Sequence, residues 1–571
     1  MRGAVKELSF PFSIHRDIVR GHDLHFGYWD DTTPTLEDAQ KKLTQLMLDH
    51  IGGKGLNILD VGCGFGRFAY LLARQGHCVT ALAPDAAMIR YAEEHFSHPH
   101  LRFLCEAFED RNPSWWKPES YDLVVFFESS QYFPCLGDLF EACGALLRPQ
   151  GRMLLCGEMI YDESTAHETA VKPRRLYLMA LAEAGFKIRS QKPIGAHTAP
   201  TCAAVLERLK TYPMCEGLDA LAAGWQRQKQ RHEEGAWGYE ILEAEKDDYR
   251  IMASPQEDDP RLVELFHQVF AASRSLEHWR WKYRACPFGR DAVAVCRDAQ
   301  GHVVANFSGY FVPVEDTKTT ATAMVLQVGD TMTHPRVRQV GFGKTSLLVR
   351  TARYFFARWC EIQVPFVYGF NTGNIQKMGK MFLGYRPVYP LDEYILNLQC
   401  LAPSVWNRLH YTCRSLRAFG AEHDALYARV KKAYGRFLVV RNSRYLNWRF
   451  ADPDRNYTLL EVRRRFGPVT AYLVAEKRNG VAVIGDLLLD PAHPGALERA
   501  LHQLGRTLGV QTVSLWMSQT PSWLTALLSR LGFDRQPEPQ GLWFVYVPFQ
   551  IPLEPEDMEG FYFTRADSDL F

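Results

Sequence analysis

The run ILDVGCGFG at residues 58–66 constrains the fold of this chain more than any other stretch. Apolar residues lead into Gly62, Gly64 and Gly66, and a helical pattern begins at Arg67. Glycine permits a sharp turn and a close approach to a ligand, because it has no Cβ in the way. The N-terminus of the following helix offers free N–H groups to such a ligand. A strand, a glycine loop and a helix in this order predict the ligand-binding turn of a βα unit.

The alternation of strand and helix patterns continues to about residue 246. Such alternation indicates a parallel sheet with right-handed crossovers. The expected strands are Asn57–Val61, His77–Ala83, Leu101–Cys105, Tyr121–Phe127, Arg152–Gly157, Phe186–Ile194 and Tyr239–Ala244. We therefore predict that residues 1–246 form an α/β domain with a doubly wound, mostly parallel, seven-stranded sheet.

Asp60 stands two residues before Gly62, and the resulting pattern Asp-x-Gly-x-Gly-x-Gly resembles the signature of class I S-adenosylmethionine-dependent methyltransferases. YDLVVFFESSQYF (121–133) resembles that family's fourth strand and acceptor-facing loop, and LLRPQGRMLL (146–155) resembles the approach to its fifth strand. The resemblance implies a Rossmann-like fold that binds S-adenosylmethionine through Asp60 and the loop glycines. Because the sulfonium is already activated, catalysis in this family is mainly alignment of the methyl acceptor.

Two further residues acquire roles from this resemblance. LHFGYWD (24–30) resembles a lid motif of members that act on small molecules and lipids, which would place Tyr28 over the cofactor. The alternative is that Tyr28 and its aromatic neighbours cover an edge of the core. Glu128 follows the fourth strand and is the candidate acid or base for an amine or hydroxyl acceptor. The alternative for Glu128 is an ordinary loop or capping glutamate.

Two positions depart from the family pattern. An acid usually ends the second strand and holds the ribose hydroxyls, but here VTALAPD has Ala83 in that place and Asp85 two residues later. A further acid near the adenine is common, and FLCEAFED has Ala107 there. A hydrogen bond to a charged group contributes about 1.5–3 kcal/mol. We therefore expect Asp85 or a backbone carbonyl to substitute, or else weak cofactor binding or none.

The second informative run is VGDTMTHPRVRQVGFGKTSLL at residues 328–348. A strand leads into Arg338-x-x-Gly341-x-Gly343 and then a helix, which predicts a nest of N–H groups for an anion. Arg338 and Lys344 would add positive charge. A nucleotide P-loop needs a glycine where Arg338 stands, so that interpretation largely fails.

The same run is similar to the pyrophosphate loop of the GNAT acyltransferases. VYGFNTGN (367–374) and FLGY (382–385) extend this resemblance, which covers residues 247–398. It implies acetyl-CoA or another acyl-CoA as cofactor, with Asp330 as candidate general base. The tyrosine that donates a proton in many relatives is replaced here by Lys380, so the candidates for protonating the thiolate are Tyr385, water or no specific group. The remaining candidate cofactor contacts are Met332, Thr333, Asn371 and Asn374. Strand-end capping is the alternative for the asparagines, and an ordinary strand-end aspartate is the alternative for Asp330.

A third region, residues 434–549, resembles a divergent repeat of the second region, residues 247–398. LEHWRWKY (276–283) is similar to RYLNWRF (444–450), and FLGY is similar to RLGF (530–533). Because this region lacks the glycine nest, we predict a non-catalytic GNAT-like α+β lobe that completes the acceptor cleft. Residues 399–433 are predicted to be a helical connector, and residues 550–571 a loose acidic tail.

Composition excludes several other classes. The 66 basic and 65 acidic residues leave a net charge of +1, which gives no overall attraction to nucleic acid or to an anionic membrane. No apolar stretch approaches the length of a membrane span. The 13 cysteines contain no Cys-x-x-Cys pair, and the N-terminus lacks the order of a signal peptide, so we expect a cytoplasmic protein without a bound metal.

These features together predict a bifunctional tailoring enzyme. It would transfer a methyl group from S-adenosylmethionine and an acyl group from acyl-CoA to an amine or hydroxyl of a small metabolite. The alternative is an acyltransferase whose methyltransferase-like domain only binds or presents a ligand. Fold alone does not decide between these two functions.

Overall fold

The computed structural model describes Leu8 and residues 11–571 except Glu168 and Ala271, with the side chains of Val19 and Asn374 left undescribed. The chain divides into two compact units, residues 1–250 and residues 251–571. No helix in the described part of the chain is long and apolar enough to cross a membrane.

The first unit contains nine helices and seven strands among its described residues. The helices are α1 (Phe12–Val19), α2 (Leu36–Ile51), α3 (Arg67–Arg74), α4 (Ala86–His95), α5 (Leu136–Leu146), α6 (Arg174–Glu183), α7 (Gly195–Thr198), α8 (Pro200–Leu209) and α9 (Leu218–Glu233). The strands are β1 (Asn57–Val61), β2 (Cys78–Ala83), β3 (Leu101–Cys105), β4 (Tyr121–Phe127), β5 (Leu147–Ile160), β6 (Phe186–Pro193) and β7 (Trp237–Lys246). These strands confirm the seven predicted segments, although β5 and β7 are longer at both ends than expected.

The sheet of the first unit has the order β3-β2-β1-β4-β5-β7-β6. Strands β1 to β5 pair in parallel, and only β7 is antiparallel to its neighbours. Ile58 belongs to one apolar cluster, whereas Leu59 and Val61 belong to another. Because successive strand residues point to opposite faces, the sheet is covered by a core on both sides, as predicted for a doubly wound fold.

The second unit contains sixteen strands and ten helices among its described residues. The helices are α10 (Asp259–Val269), α11 (Leu276–Tyr283), α12 (Leu347–Phe355), α13 (Gly373–Phe382), α14 (Val405–His410), α15 (Ala421–Val430), α16 (Ser443–Arg449), α17 (Gly495–Leu508), α18 (Ser522–Arg530) and α19 (Pro555–Glu559). The strands are β8 (Arg250–Ala253), β9 (Val293–Arg297), β10 (Val303–Asp316), β11 (Ala321–Thr333), β12 (Phe366–Asn371), β13 (Arg386–Pro390), β14 (Asp392–Asn397), β15 (Tyr411–Ser415), β16 (Phe437–Val439), β17 (Thr458–Arg464), β18 (Val469–Arg478), β19 (Val481–Leu489), β20 (Thr512–Trp516), β21 (Asp534–Pro537), β22 (Trp543–Pro548) and β23 (Phe561–Tyr562).

Two mixed sheets of the second unit repeat one arrangement. In the first, β9, β10 and β11 are antiparallel and β11 pairs with β12 in parallel. In the second, β17, β18 and β19 are antiparallel and β19 pairs with β20 in parallel. The structure therefore supports the predicted internal repeat.

Each of these sheets is completed by a strand from the other half of the sequence. Strand β22, near the end of the chain, pairs with β12, and β14, from the middle, pairs with β20. The exchange makes residues 251–571 one compact unit. The expected boundaries at residues 398 and 434 therefore mark a sequence repeat and do not separate two independent lobes.

Two tryptophans join the copies of the repeat. The indole N–H of Trp281 donates to the carbonyl of Trp448 (2.8 Å), and the indole N–H of Trp448 donates to the carbonyl of Trp281 (3.3 Å). Their ring centroids lie 5.4 Å apart. The reciprocal hydrogen bonds indicate an approximate two-fold relation between α11 and α16, the two helices that carry the similar sequences.

The last residues are packed, so the prediction of a loose tail is wrong. Strand β23 pairs with β16, and Phe563 is fully buried. The buried guanidinium of Arg449 donates to the carbonyls of Ala566 and Phe571 at 2.7 and 2.6 Å. The prediction counted the acidic residues of this segment and overlooked its apolar FYF run, which supplies the burial that orders it.

Candidate active site

The glycine loop of the first unit lies between β1 and α3. Gly62, Gly64 and Gly66 have φ angles of 77°, 54° and 80°, in the left-handed region that favours glycine. A Cβ on Gly62 would lie 2.5 Å from the Cβ of Ser129, in the segment that follows β4. The predicted turn is therefore present, and close packing as well as backbone conformation requires glycine at position 62.

Asp60 is buried at the end of β1 beside this loop. Its side chain is 2% exposed, and its Oδ2 has no hydrogen-bond partner among the described residues. Burial raises the pKa of Asp60 from 3.8 to about 7. A buried carboxylate without a partner is unfavourable, and a cationic ligand beside it would relieve that cost.

The positions expected to hold the ribose and adenine carry no matching carboxylate. Ala83 ends β2, and the Oδ1 of Asp85 accepts the N–H groups of Ala87 (2.7 Å) and Met88 (3.1 Å) as the N-cap of α4. The structure therefore gives Asp85 a capping role and leaves only its Oδ2 for a cofactor. Glu106, beside Ala107, accepts from the side chains of Asn112 and Trp115.

The segment 24–30 covers the loop with a different residue from the one expected. Leu24 Cδ1 lies 3.3 Å from the position that a Cβ on Gly64 would occupy. Tyr28 stacks on His197 with ring centroids 4.3 Å apart, and its N–H donates to Ala39 in α2 (2.8 Å). The structure thus favours the alternative in which Tyr28 covers the core edge. Leu24 is the loop contact that sequence reasoning missed.

Glu128 is held in a strained position at the end of β4. Its φ is 55°, and its N–H donates to the carbonyl of Cys156 at 2.7 Å. Its Oε1 accepts the N–H of Phe26 (2.7 Å) and the hydroxyl of Tyr239. Burial raises the pKa of Glu128 to about 7, although the nearby His25 opposes that shift. This carboxyl is therefore poised to exchange a proton near neutral pH.

A second carboxylate, Glu158 at the end of β5, lies near Glu128. It is hydrogen-bonded to His232 (2.7 Å) and Gln228 (2.5 Å), both from α9. Tyr132, which follows β4, is 68% exposed. Ligands of open α/β sheets bind at the carboxyl ends of the strands, which is where these groups lie. Sequence reasoning missed Glu158, although its place after the fifth strand was a usable signal.

Comparison with known proteins concerns this unit. Residues 58–151 match the family of methyltransferase domains. The matched residues run from β1 into β5. The chain is 27% identical over 254 residues to a 27-O-demethylrifamycin SV methyltransferase from Amycolatopsis mediterranei, covering 41% of this chain and 93% of that protein. It is 30% identical over 135 residues to a ubiquinone biosynthesis O-methyltransferase from Xylella fastidiosa, covering 23% of this chain and 53% of that protein. The chain thus spans about half the length of that second relative.

Solved structures resemble the same part of the chain. A putative sarcosine dimethylglycine methyltransferase from Galdieria sulphuraria is 17% identical, covering 41% of this chain and 97% of its own, with a TM-score of 0.38. The cyclopropane synthase MmaA2 from Mycobacterium tuberculosis is 18% identical, covering 40% and 94% of the two chains, with a TM-score of 0.36. The family match and the sequence relatives concern the same first unit.

The first unit fits S-adenosylmethionine, the cofactor that the sequence resemblance implies, unevenly. Asp60 and the glycine loop suit the ammonium group of its amino-acid end, since the buried Oδ2 of Asp60, without a hydrogen-bond partner among the described residues, lies beside a cradle that a Cβ would fill. The ribose end lacks the carboxylate that Ala83 replaces. We therefore expect the loop end of the site to supply most of the affinity.

The candidate loop of the second unit follows β11. Gly341 and Gly343 have φ angles of 71° and 57°, and a Cβ on Gly341 would lie 2.3 Å from the carbonyl oxygen of Thr345. Helix α12 begins only after Ser346, whose hydroxyl accepts the N–H of Val349. The glycine loop therefore ends in a short 3₁₀ turn that contains Lys344. Arg338 is exposed and donates from Nε to the carbonyl of Thr333 (3.3 Å).

The surroundings of Asp330 contradict its expected role as a general base. Asp330 is buried, accepts from Lys282 Nζ (2.9 Å) and the Tyr283 hydroxyl (2.6 Å), and forms an ion pair with Arg274. Burial alone would raise the pKa of Asp330, but the charges of Arg274 and Lys282 outweigh it and hold that pKa well below its usual range. Such a carboxylate is a poor proton acceptor. The role of Asp330 is therefore to form buried ion pairs with Arg274 and Lys282. These cations lie far from it in sequence, which is why sequence reasoning missed them.

The other candidate residues of this unit lie on β11, at the end of β12, on α13 and just before β13. Met332 is fully buried, whereas Thr333 is at the strand end. Burial raises the pKa of Tyr385, and Asn371, which opposes that shift, is its hydrogen-bond partner. Tyr385 therefore stays protonated and keeps a proton to donate. Asn374 lies on α13, and its side chain is outside the described residues.

Proposed function

We propose that the methyltransferase domain transfers a methyl group from S-adenosylmethionine to a hydroxyl group of a small metabolite. The observation that carries this proposal is the unpaired, buried carboxylate of Asp60 beside the glycine cradle. A cationic ligand at the loop would supply the missing partner. When bound, the cofactor supplies a methyl group on a sulfonium centre, which is activated for transfer.

The relatives favour oxygen as the acceptor atom. Their names specify a demethylated rifamycin hydroxyl position and O-methylation in ubiquinone biosynthesis. A neutral hydroxyl is a weak nucleophile, and a positioned base that removes its proton accelerates transfer by about 10²–10⁴-fold. Glu128 is suited to act as that base, because its pKa is about 7 and the N–H of Phe26 fixes the position of its carboxyl group. Glu158 and Tyr132 would then line the acceptor recess.

Labelled S-adenosylmethionine and a panel of phenolic, polyketide and amino acceptors would test this proposal. We expect the hydroxyl acceptors to be methylated. Glu128→Gln should lower kcat by about 10²–10³-fold, with the affinity for the cofactor unchanged, because Gln cannot accept the proton. The matched control is Glu207→Gln on exposed α8, whose side chain is 69% exposed. Full activity of Glu128→Gln would exclude Glu128 as the base.

The pH profile is a second test of the same role. Below about pH 7 Glu128 is protonated and cannot act as a base, so kcat should rise as pH increases through about 7. Glu128→Gln should lose this rise. A rate that falls over the same interval would indicate that Glu128 acts as an acid.

We propose acyl transfer from acyl-CoA to an amine as a second activity, carried by residues 251–571. The supporting observations are the compact nest at Gly341 and the early end of the parallel pair β11–β12, which has two residue pairs, Leu326–Val367 and Gln327–Tyr368, although β11 continues to Thr333. Backbone N–H groups at such a nest suit a pyrophosphate. Tyr385 would protonate the departing thiolate, whereas Asp330 has no part in the proton transfer.

Calorimetric titration of the full chain with acetyl-CoA would test the second activity. Arg338→Gln should weaken binding by about tenfold, because it removes one charge near the phosphates. Arg530→Gln, at the exposed end of α18, is the control. If acetyl-CoA does not bind to the wild type, this second activity is wrong. If acetyl-CoA binds and S-adenosylmethionine does not, the first unit is only a binding or presenting module.

A further inference from the structure

The second unit exposes apolar side chains on two adjoining segments, α14 and the turn 465–468 between β17 and β18. Phe466 is 102% exposed, Val405 71%, Trp406 68% and Leu409 54%. Monomeric proteins rarely expose several large apolar side chains together without an interaction partner. We call these four residues the apolar tip.

The two segments that carry the apolar tip are joined by specific contacts. The N–H of Arg465 donates to the carbonyl of His410, the last residue of α14, at 2.7 Å. Arg464 is the register partner of Tyr411, the first residue of β15. The imidazole of His410 lies against the indole of Trp406, with ring centroids 3.7 Å apart. Phe466 and Trp406 therefore project from one continuous surface.

Positive charge surrounds the apolar tip. Arg408, Arg464 and Arg465 are exposed, and none of them forms an ion pair with any residue that the structure describes. The nearby carboxylates are engaged elsewhere. Glu498 accepts the N–H of Ser404 (2.7 Å) and the amide of Asn407, and Glu422 pairs with Arg463.

We propose that the apolar tip and its three arginines dock the protein on an anionic lipid surface. A turn with the fully exposed Phe466, beside a helix with the exposed Trp406, is suited to insertion between headgroups, where Trp and Phe are favoured. A protein partner would require a complementary concave surface around such a projection. The net charge of the whole chain is only +1, so the attraction arises from this local cluster.

Flotation of the full chain with large unilamellar vesicles would test the proposal. The vesicles would contain phosphatidylcholine alone, or phosphatidylcholine with phosphatidylglycerol as about one lipid in four. We expect binding to the anionic vesicles only, weakened by raising the salt concentration to about 0.5 M. Each arginine near an anionic surface contributes about fivefold to binding.

Two variants and two controls separate the parts of this surface. The double variant Arg464→Glu with Arg465→Glu should lower vesicle binding by at least about 25-fold. Trp406→Ala with Phe466→Ala should lower it by about tenfold, because less apolar surface inserts. Arg530→Glu and Ile362→Ala are exposed controls on other surfaces and should bind as the wild type does.

The outcomes that overturn the proposal are distinct. One is the absence of binding to anionic vesicles, and another is an equal loss of binding in the control variants. A third is a concentration-dependent dimer in sedimentation velocity that Trp406→Ala with Phe466→Ala abolishes, since the tip would then contact a second copy of the chain. All substituted side chains are exposed, so an unchanged thermal transition would verify that the variants fold.

Discussion

Asp60 is the residue on which the account of the first unit depends most. Its buried Oδ2 has no hydrogen-bond partner in the part of the chain that the structure describes, and its folded-state pKa is raised from 3.8 to about 7. A carboxyl whose pKa is raised on folding binds its proton more tightly in the folded state. It therefore lowers the stability as the pH rises from 3.8 to about 7, and this penalty persists above that range.

Asp60→Asn should stabilise the ligand-free protein in a pH-dependent way. At pH 8 we expect a gain of about 2–4 kcal/mol, because the substitution removes a buried charge and keeps the shape. Scanning calorimetry of the full chain should show a transition of the first unit raised by about 4–10 °C at pH 8. The gain should shrink toward pH 4. A destabilised variant at pH 8 would show that the ionised carboxylate already has a partner.

Individual side chains were predicted well where the local pattern determines their place. The conformation of the three loop glycines follows from the turn that joins β1 to α3. The role of Asp330 could not be predicted, because Arg274 and Lys282 reach it only after α11 folds against β11. The contact of Leu24 with the glycine loop could not be predicted either, since nothing in the sequence distinguishes this apolar residue from its neighbours in the lid-like segment.

At the scale of elements, the β1–α3 turn requires glycine for two reasons, backbone conformation and close packing. Substitutions can measure the cost of each separately. Gly62 and Gly55 have similar φ angles, 77° and 71°, but only Gly62 has a close neighbour, 2.5 Å from its would-be Cβ. Gly55→Ala should cost about 1–2 kcal/mol from the left-handed backbone alone. Gly62→Ala should cost about 1–3 kcal/mol more, because it pushes Ser129 away.

Chemical unfolding of the two variants would measure this difference. Gly55→Ala serves as the control, because no atom lies within 4 Å of its would-be Cβ. Equal losses of stability in both variants would show that Ser129 moves freely and that the packing at the loop is loose.

The ends of several strands and helices in the first unit could be predicted, because hydrophobic periodicity and capping residues are local features of the sequence. Strands β1, β3 and β4 begin and end where the sequence indicated, and α3 begins at Arg67 as expected. In the second unit, the pairing of β14 with β20 and of β22 with β12 was not predicted. Pairing between strands about 120–180 residues apart depends on the whole fold, which no local pattern encodes.

At the scale of the whole molecule, the exchanged strands determine where the chain can be divided. Residues 1–250 and 251–571 each form a compact unit with its own core. We expect each to fold when expressed alone, as circular dichroism and size-exclusion chromatography would show. The fragments 251–420 and 421–571 should not fold separately, because β22 and β14 would each lose their partner strands.

Co-expression of those two fragments provides the matching control. It should restore a folded complex, since it returns both exchanged strands to their sheets. If either fragment alone gave a cooperative thermal transition, the exchange of strands would not be essential to the fold of the second unit.

Binding of S-adenosylmethionine to the full chain, measured by titration calorimetry, tests the central claim most directly. The account predicts saturable binding at one site, weakened by about 10–100-fold in Asp60→Asn because a charge-assisted interaction is lost. Gly341→Arg, in the second unit, should leave this affinity unchanged. Absence of binding to the wild type, or equal affinity in Asp60→Asn, would contradict the assignment of the glycine loop and Asp60 as the cofactor site.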